Sequence, residues 1–190
     1  MGIGTTRARL TVLSLLIGFN GLACGSSPSS APLTADAFGA QYKFADNEIS
    51  GWTQDPSDPY STYTGEEYVQ KVDGAAGAYT EKGCRVTMYQ SLVGPDPDLC
   101  TVLAMDFVTD TQANTMFTWK KQDQNATIVI PPYDASVAIA SSTLTGMNVI
   151  AHFKASYFEL ALSGFGAQTG QCTACPVAVQ FLDMLKSKTK

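Results

Sequence analysis

Residues 85–92 (RVTMYQSL), 94–98 (GPDPD) and 101–108 (TVLAMDFV) decide the fold. The two flanking runs mix β-branched, aromatic and aliphatic residues at strand length and read as strands. Between them, one glycine and two prolines stop any continuing element and supply turn chemistry. Together the three pieces predict a β-hairpin. Two strands joined by a short loop are antiparallel, because a parallel pair needs a crossover of a dozen or more residues.

Working outward toward the C-terminus, a helix is predicted to follow at once. Thr109 and Gln112 fit a capping box, and Ala113, Met116, Phe117 and Lys120 share one face. Lys120 and Lys121 close it, as the helix dipole prefers. Strands are predicted over 127–130, about 135–141, 147–153 and 157–163. Pro176 suits the first turn of a last helix, with Ala178, Phe181, Leu182 and Leu185 facing inward.

Toward the N-terminus, residues 38–52 read as irregular with apolar anchors. Residues 55–60 (DPSDPY) are turn-rich. A helix is predicted to open at Thr64, where Thr64 and Glu67 fit a second capping box. Tyr68, Val72, Ala75, Ala76 and Tyr79 share one face of it, and Gly83 suits the position just past its end. Gly74 and Gly77 weaken it by about 1 kcal/mol each. The element order predicts an α+β class: one antiparallel sheet with about three helices packed on it, in a single domain over residues 38–190.

The first residues carry a different message. Arg7 and Arg9, an apolar run over 10–19 (LTVLSLLIGF), and the small residues Gly21 and Ala23 follow the plan of a signal peptide. The apolar run falls short of the roughly 20 residues a membrane-spanning helix needs. Residues 1–23 are therefore expected to be removed, with cleavage before Cys24. Leu22-Ala23-Cys24-Gly25 resembles the lipobox of bacterial lipoproteins. That resemblance implies a diacylglycerol thioether on Cys24. Gly21 stands where the pattern usually has an aliphatic residue. Residues 25–35 (GSSPSSAPLTA) hold too little apolar surface for a core, so residues 24–37 are expected to be a flexible tether behind the lipid. The expected place is the cell envelope, at the outer membrane or a periplasmic face, or, without the lipid, a secreted or periplasmic one; the expected partners are the membrane, reached through the N-terminal lipid, and an envelope protein or ligand of unknown identity.

Composition narrows the function classes. The 190 residues carry 12 Lys and Arg against 17 Asp and Glu. Two of those cations, Arg7 and Arg9, would leave with the leader. An acidic chain without a basic stripe argues against nucleic acid as a partner. His152 is the only histidine, which removes multi-histidine metal sites and haem attachment. In its strand it falls opposite Val149, Ala151 and Phe153, at solvent or a helix edge. Asp55, Asp58, Asp96 and Asp98 sit in proline-rich turns and lack an EF-hand register. No metal and no cofactor is expected.

Five cysteines are an odd number, and a lipid on Cys24 would leave four. In the predicted hairpin, Cys84 and Cys100 begin opposite ends of paired strands, roughly 20–25 Å apart at about 3.3 Å per residue. A disulfide needs Cα atoms within about 7 Å. The expected bridge is therefore Cys172–Cys175, with at least one of the other two unpaired. Cys172-Thr173-Ala174-Cys175-Pro176 is also the layout of a redox motif, because a helix N-terminus stabilises a thiolate. Redox folds place it after a first β-strand, whereas here it precedes the last helix. Trp52, Tyr60 and Tyr63 form an aromatic group near the first predicted helix and are candidates to line a ligand groove.

One family likeness bears on these readings. Ile49-Ser50-Gly51-Trp52, residues 63–69 (YTGEEYV), residues 72–79 (VDGAAGAY) and Gly83 resemble an uncharacterised family of exported bacterial proteins, defined only as a domain of unknown function. The likeness is best over residues 49–108. Gly77 replaces the glutamate usual after the helix alanines, and residues 113–117 (ANTMF) replace an Ala-Phe-Gly motif. The resemblance implies export and an α+β architecture. It carries over no site residue.

The expected function is that of an envelope lipoprotein acting as a non-enzymatic binding or assembly module. The alternative is a periplasmic thiol–disulfide redox protein using Cys172 and Cys175.

Overall fold

A computed structural model describes residues 34–189 except 71–75, 96–97 and 169–171. The leader, Cys24 and most of the expected tether lie outside the described residues.

The predicted hairpin is the centre of the sheet. Strands β3 (Val86–Val93) and β4 (Leu99–Asp106) pair antiparallel over their full length, from Val86 opposite Asp106 to Val93 opposite Leu99. The turn between them closes through Gly94 N–H to Asp98 O (2.9 Å) and Asp98 N–H to Pro95 O (2.7 Å). Before them come two short strands, β1 (Thr53–Gln54) and β2 (Ser61–Thr64), both pairing with β3. After them come β5 (Ile128–Val129), β6 (Ala138–Ser142), β7 (Gly146–Phe153) and β8 (Ser156–Ser163). The sheet runs β1-β3-β4-β8-β7-β6-β5, with β2 also on β3, and every pair is antiparallel. The α+β class predicted from the sequence is the class observed.

Among the described residues four α-helices pack on this sheet: α1 (Ala35–Tyr42), α2 (Ala76–Glu81), α3 (Asp110–Asp123) and α4 (Cys175–Lys188). They cover both faces. On one face, Phe38 and Tyr42 of α1 and Phe181, Leu182 and Leu185 of α4 bury Met88, Val102, Val149, Phe158 and Leu160. On the other, Tyr79 of α2 and Met116 and Phe117 of α3 bury Leu103, Met105, Ile150 and Tyr157. Coverage on both sides explains why β3 and β4 are buried along nearly their whole length instead of alternating.

Two N-terminal expectations are corrected. Ala35–Ala37, assigned to the tether, form the first turn of α1, where the Thr34 hydroxyl caps Ala37 N–H at 3.2 Å. The segment read as irregular from residue 38 is helical as far as Tyr42. The chain end of α1 is tied to the sheet by Gln90, whose side chain accepts from Phe44 N–H (2.8 Å) and donates to Phe44 O (2.9 Å). Both hydrogen bonds are buried, so this polar side chain is satisfied inside the core.

Thr64 ends β2, and the helix that opens directly behind it, Gly65–Gln70, is 3-10; α2 spans Ala76–Glu81. An N-cap position is itself extended, so Thr64 can pair with β3 and still precede a helix. Glu67 reaches back as a capping box requires, accepting from Thr64 N–H at 3.1 Å. Gly83 sits where predicted, at φ +92°, with Cys84 N–H returning to Tyr79 O (3.1 Å). The Thr109–Gln112 capping box of α3 is complete. The expectation for Gly74 falls on residues outside those described.

Candidate functional site

The cysteine expectations meet the geometry directly. Cys172 and Cys175 are joined by a disulfide, Cα–Cα 5.4 Å, at the start of α4. Cys84 and Cys100 are both free. Cys100 stands opposite Leu92, near the far end of β3 from Cys84, which precedes that strand, so the hairpin register keeps the two apart. Burial pushes the Cys84 thiol up to about 11 and the Cys100 thiol well above its ordinary value. Neither is a reactive thiolate. The loop before the disulfide is held by Gln168, which accepts from Thr173 Oγ1 (3.2 Å) and Ala174 N–H (3.1 Å). Cys172 is half-buried and its partner is buried.

Trp52, Tyr60 and Tyr63 do not form a groove. Trp52 is 3 % exposed and meets Phe181 edge-on at 5.1 Å, as a plug of the α4 side of the core. Tyr60 packs against that same core, with Lys43 Nζ 4.7 Å above its ring. Tyr63 lies in the opposite layer, 5.9 Å from the Tyr68 ring. Side chains alternate along a strand, so neighbouring odd and even positions of this segment serve opposite faces of the sheet.

His152 is half-buried against α3, its ring 5.0 Å from Phe117 and its Nε2 2.9 Å from Ser136 O. Among the described residues no group of three or more His, Cys, Asp and Glu is placed to hold a metal ion.

A different cluster concentrates polar groups, on the α2–α3 side of the sheet. Strand β8 alternates, sending Phe158, Leu160 and Leu162 into one core and Tyr157 into the other. Glu159 shares the Tyr157 face. The Tyr79 hydroxyl, from α2, donates to Glu159 Oε1 at 3.0 Å, and the Tyr157 hydroxyl donates to the same oxygen at 3.1 Å. Lys120, from the last turn of α3, places Nζ 3.8 Å from Glu159 Oε2 and donates to Tyr79 Oη at 3.0 Å. Tyr68, from the 3-10 helix, meets Tyr79 edge-on at 5.9 Å. Its hydroxyl is buried and has no hydrogen-bond partner among the described residues.

Burial sets the electrostatics of the cluster. It raises the Glu159 carboxyl above its ordinary value, while Lys120 and the two phenol donors pull in the other direction. Burial, reinforced by the Glu159 charge, raises the phenols of Tyr68, Tyr79 and Tyr157. All three therefore stay protonated as neutral donors at physiological pH.

Glu159 is not sealed. Its side chain is 18 % exposed and lines a recess of about 150 Å³. Tyr68, Tyr89, Thr101, Leu103 and Ala161 form the rest of the lining. The Tyr89 hydroxyl is engaged with Asp58 and Ser91. The lining thus combines a carboxylate, two tyrosines of which Tyr68 has a buried hydroxyl without a partner among the described residues, a threonine and two aliphatic side chains. This arrangement can bind and orient a small ligand.

Sequence reasoning missed Glu159. The available signal was an acidic residue alternating with Tyr157 inside an otherwise apolar strand, a place where a charge needs partners. Comparisons with protein-family models, curated proteins and solved structures return no match for this chain.

Proposed function

We propose that this chain is an exported envelope lipoprotein whose folded domain is a non-enzymatic binding module. In this reading residues 1–23 direct export, Cys24 carries the lipid, and the domain beginning near Thr34 stands off the membrane on a short tether. The likeness of residues 49–108 to exported bacterial proteins belongs to the same proposal and assigns no site.

The observation that carries the binding role is the recess over Glu159. Behind it, Tyr79 of α2 and Tyr157 of β8 hold the Glu159 carboxylate by hydrogen bonds and Lys120 of α3 holds Tyr79, before any ligand arrives. A buried, partly accessible carboxylate with two phenol donors is a costly arrangement for a fold to keep for packing alone. Preorganised polar groups beside apolar walls are what a small-ligand site requires.

The anchor is tested by metabolic labelling with palmitate in a bacterial host. Wild type should be labelled and recovered with membranes, and Cys24→Ser should be neither. Equal labelling of both proteins, or of neither, would remove the lipid from the proposal.

A second reading, a thiol–disulfide redox protein, is favoured by one observation. The Cys172–Cys175 bridge opens a 14-residue helix, whose N-terminus would stabilise a thiolate at Cys175. It predicts insulin reduction by wild type in the presence of dithiothreitol, and loss of that activity in Cys172→Ser. An inactive wild type would sink it.

A further inference from the structure

We propose that the recess between Tyr68 and Tyr89 receives the ammonium end of a small organic cation, either a free alkylamine or a lysine side chain. This deepens the binding-module reading and rests on it. Glu159 supplies the counter-charge. Its Oε1 already accepts from Tyr79 and Tyr157. Its Oε2 has Lys120 Nζ at 3.8 Å, beyond hydrogen-bond reach. That same ammonium is 3.9 Å from Asp123 Oδ2 and bonded to Tyr79 Oη. One lysine is shared between two carboxylates, so negative charge remains for a second cation.

The uncharged groups point the same way. An ammonium has three donors and no acceptor, so its site must supply acceptors. Tyr68 Oη is buried without a partner among the described residues, and Thr101 lines the same recess. With Glu159 Oε2 they make three acceptors. Tyrosine rings at the wall attract a cation through their quadrupole. Leu103 and Ala161 suit an aliphatic stem. A volume of about 150 Å³ admits a short chain and excludes a large ring system. A carboxylate ligand would meet Glu159 head-on, and the chain's net charge of −5 favours cations at a distance.

The test is an NMR titration of the purified protein with n-butylammonium, Nα-acetyl-lysine methylamide, n-pentanol and pentanoate. Saturable shifts of the Thr101, Leu103 and Ala161 amides are expected with the two ammonium probes, and the tighter of the two identifies the source. Glu159→Gln should weaken that binding about tenfold or more, and Tyr68→Phe roughly three- to tenfold. Tyr68→Phe removes only an unpartnered hydroxyl, so it reports even where the Glu159 variant folds poorly. If n-pentanol or pentanoate binds as well as the ammonium probes, the cation assignment is wrong while the binding module stands. If no probe shifts these amides, both fall. Unchanged ammonium affinity in the two variants would also overturn the assignment.

Discussion

The Tyr79 hydroxyl donates to Glu159 Oε1 across 3.0 Å, joining α2 to β8 over 80 residues of chain. The bond gives a carboxylate a neutral donor in a place that burial makes hostile to charge. Burial outweighs that donor, so the carboxyl holds its proton more tightly in the folded protein than in the unfolded chain.

The sign of that linkage is definite. The Glu159 carboxyl titrates above 4.5, its ordinary value. Between 4.5 and the raised value the folded state binds a proton that the unfolded state has released. Stability contributed by this group is complete below about pH 4.5 and is lost as pH rises through the raised value. Asp106, raised by burial against the pull of Arg85, acts in the same direction from 3.8 upward. Urea midpoints measured between about pH 4 and about pH 7 should fall more steeply in wild type than in Glu159→Gln. Parallel curves would show that Glu159 has the same proton affinity folded and unfolded.

Gly39 predicts a reversal of helix propensity. In the middle of a helix, Gly→Ala normally stabilises by about 1 kcal/mol. Here a Cβ would overlap Tyr60 Oη and Thr62 Cγ2, because α1 crosses close over β2. Gly39→Ala should instead destabilise by about 1–3 kcal/mol. Adding Tyr60→Phe should recover part of the loss and leave the Thr62 overlap. A stabilised single variant in thermal or urea unfolding would disprove the close crossing.

Phe181 should be among the costliest core truncations. It is fully buried and meets Phe44 at 5.4 Å and Trp52 at 5.1 Å. Phe181→Ala should cost about 3–5 kcal/mol by urea unfolding. It should also shift Trp52 emission to the red as water enters. An effect below about 1 kcal/mol would contradict the packing described.

The cysteines divide by reactivity. Cys84 and Cys100 should resist iodoacetamide at about pH 8 in the folded protein and react once denatured, as intact mass would show. Rapid alkylation of native protein would count against the burial of Cys100 and the raised thiol of the half-buried Cys84. Cys172→Ser opens a loop of only a few residues, so it should cost no more than about 2 kcal/mol. A larger loss would mean that the bridge does more than close a short loop.

Local patterns were legible wherever neighbours in sequence are neighbours in space. The β3–β4 hairpin, the Thr109 capping box, Gly83 and the inward stripe of α4 all depend on contacts within a few residues. At Thr64 the same logic placed the helix start and missed its type: the motif opens a 3-10 helix, beside a strand that pairs with β3 more than 20 residues further on. The Trp52, Tyr60 and Tyr63 grouping failed for a related reason. Proximity in sequence says nothing about which face of a sheet a side chain serves until the register is known.

By itself, the sequence determined the α+β class, the hairpin at the centre of the sheet and the separation of Cys84 from Cys100. Turn residues, β-propensity and capping act over a few residues and are written in the order of the chain. Tertiary structure decided that both sheet faces are covered, that Gln90 satisfies Phe44, and that Tyr79, Lys120 and Tyr157 converge on Glu159. Those arrangements depend on strand register and helix placement between distant segments. A lone glutamate in a strand acquires its proton affinity from that assembly, and so does the recess above it.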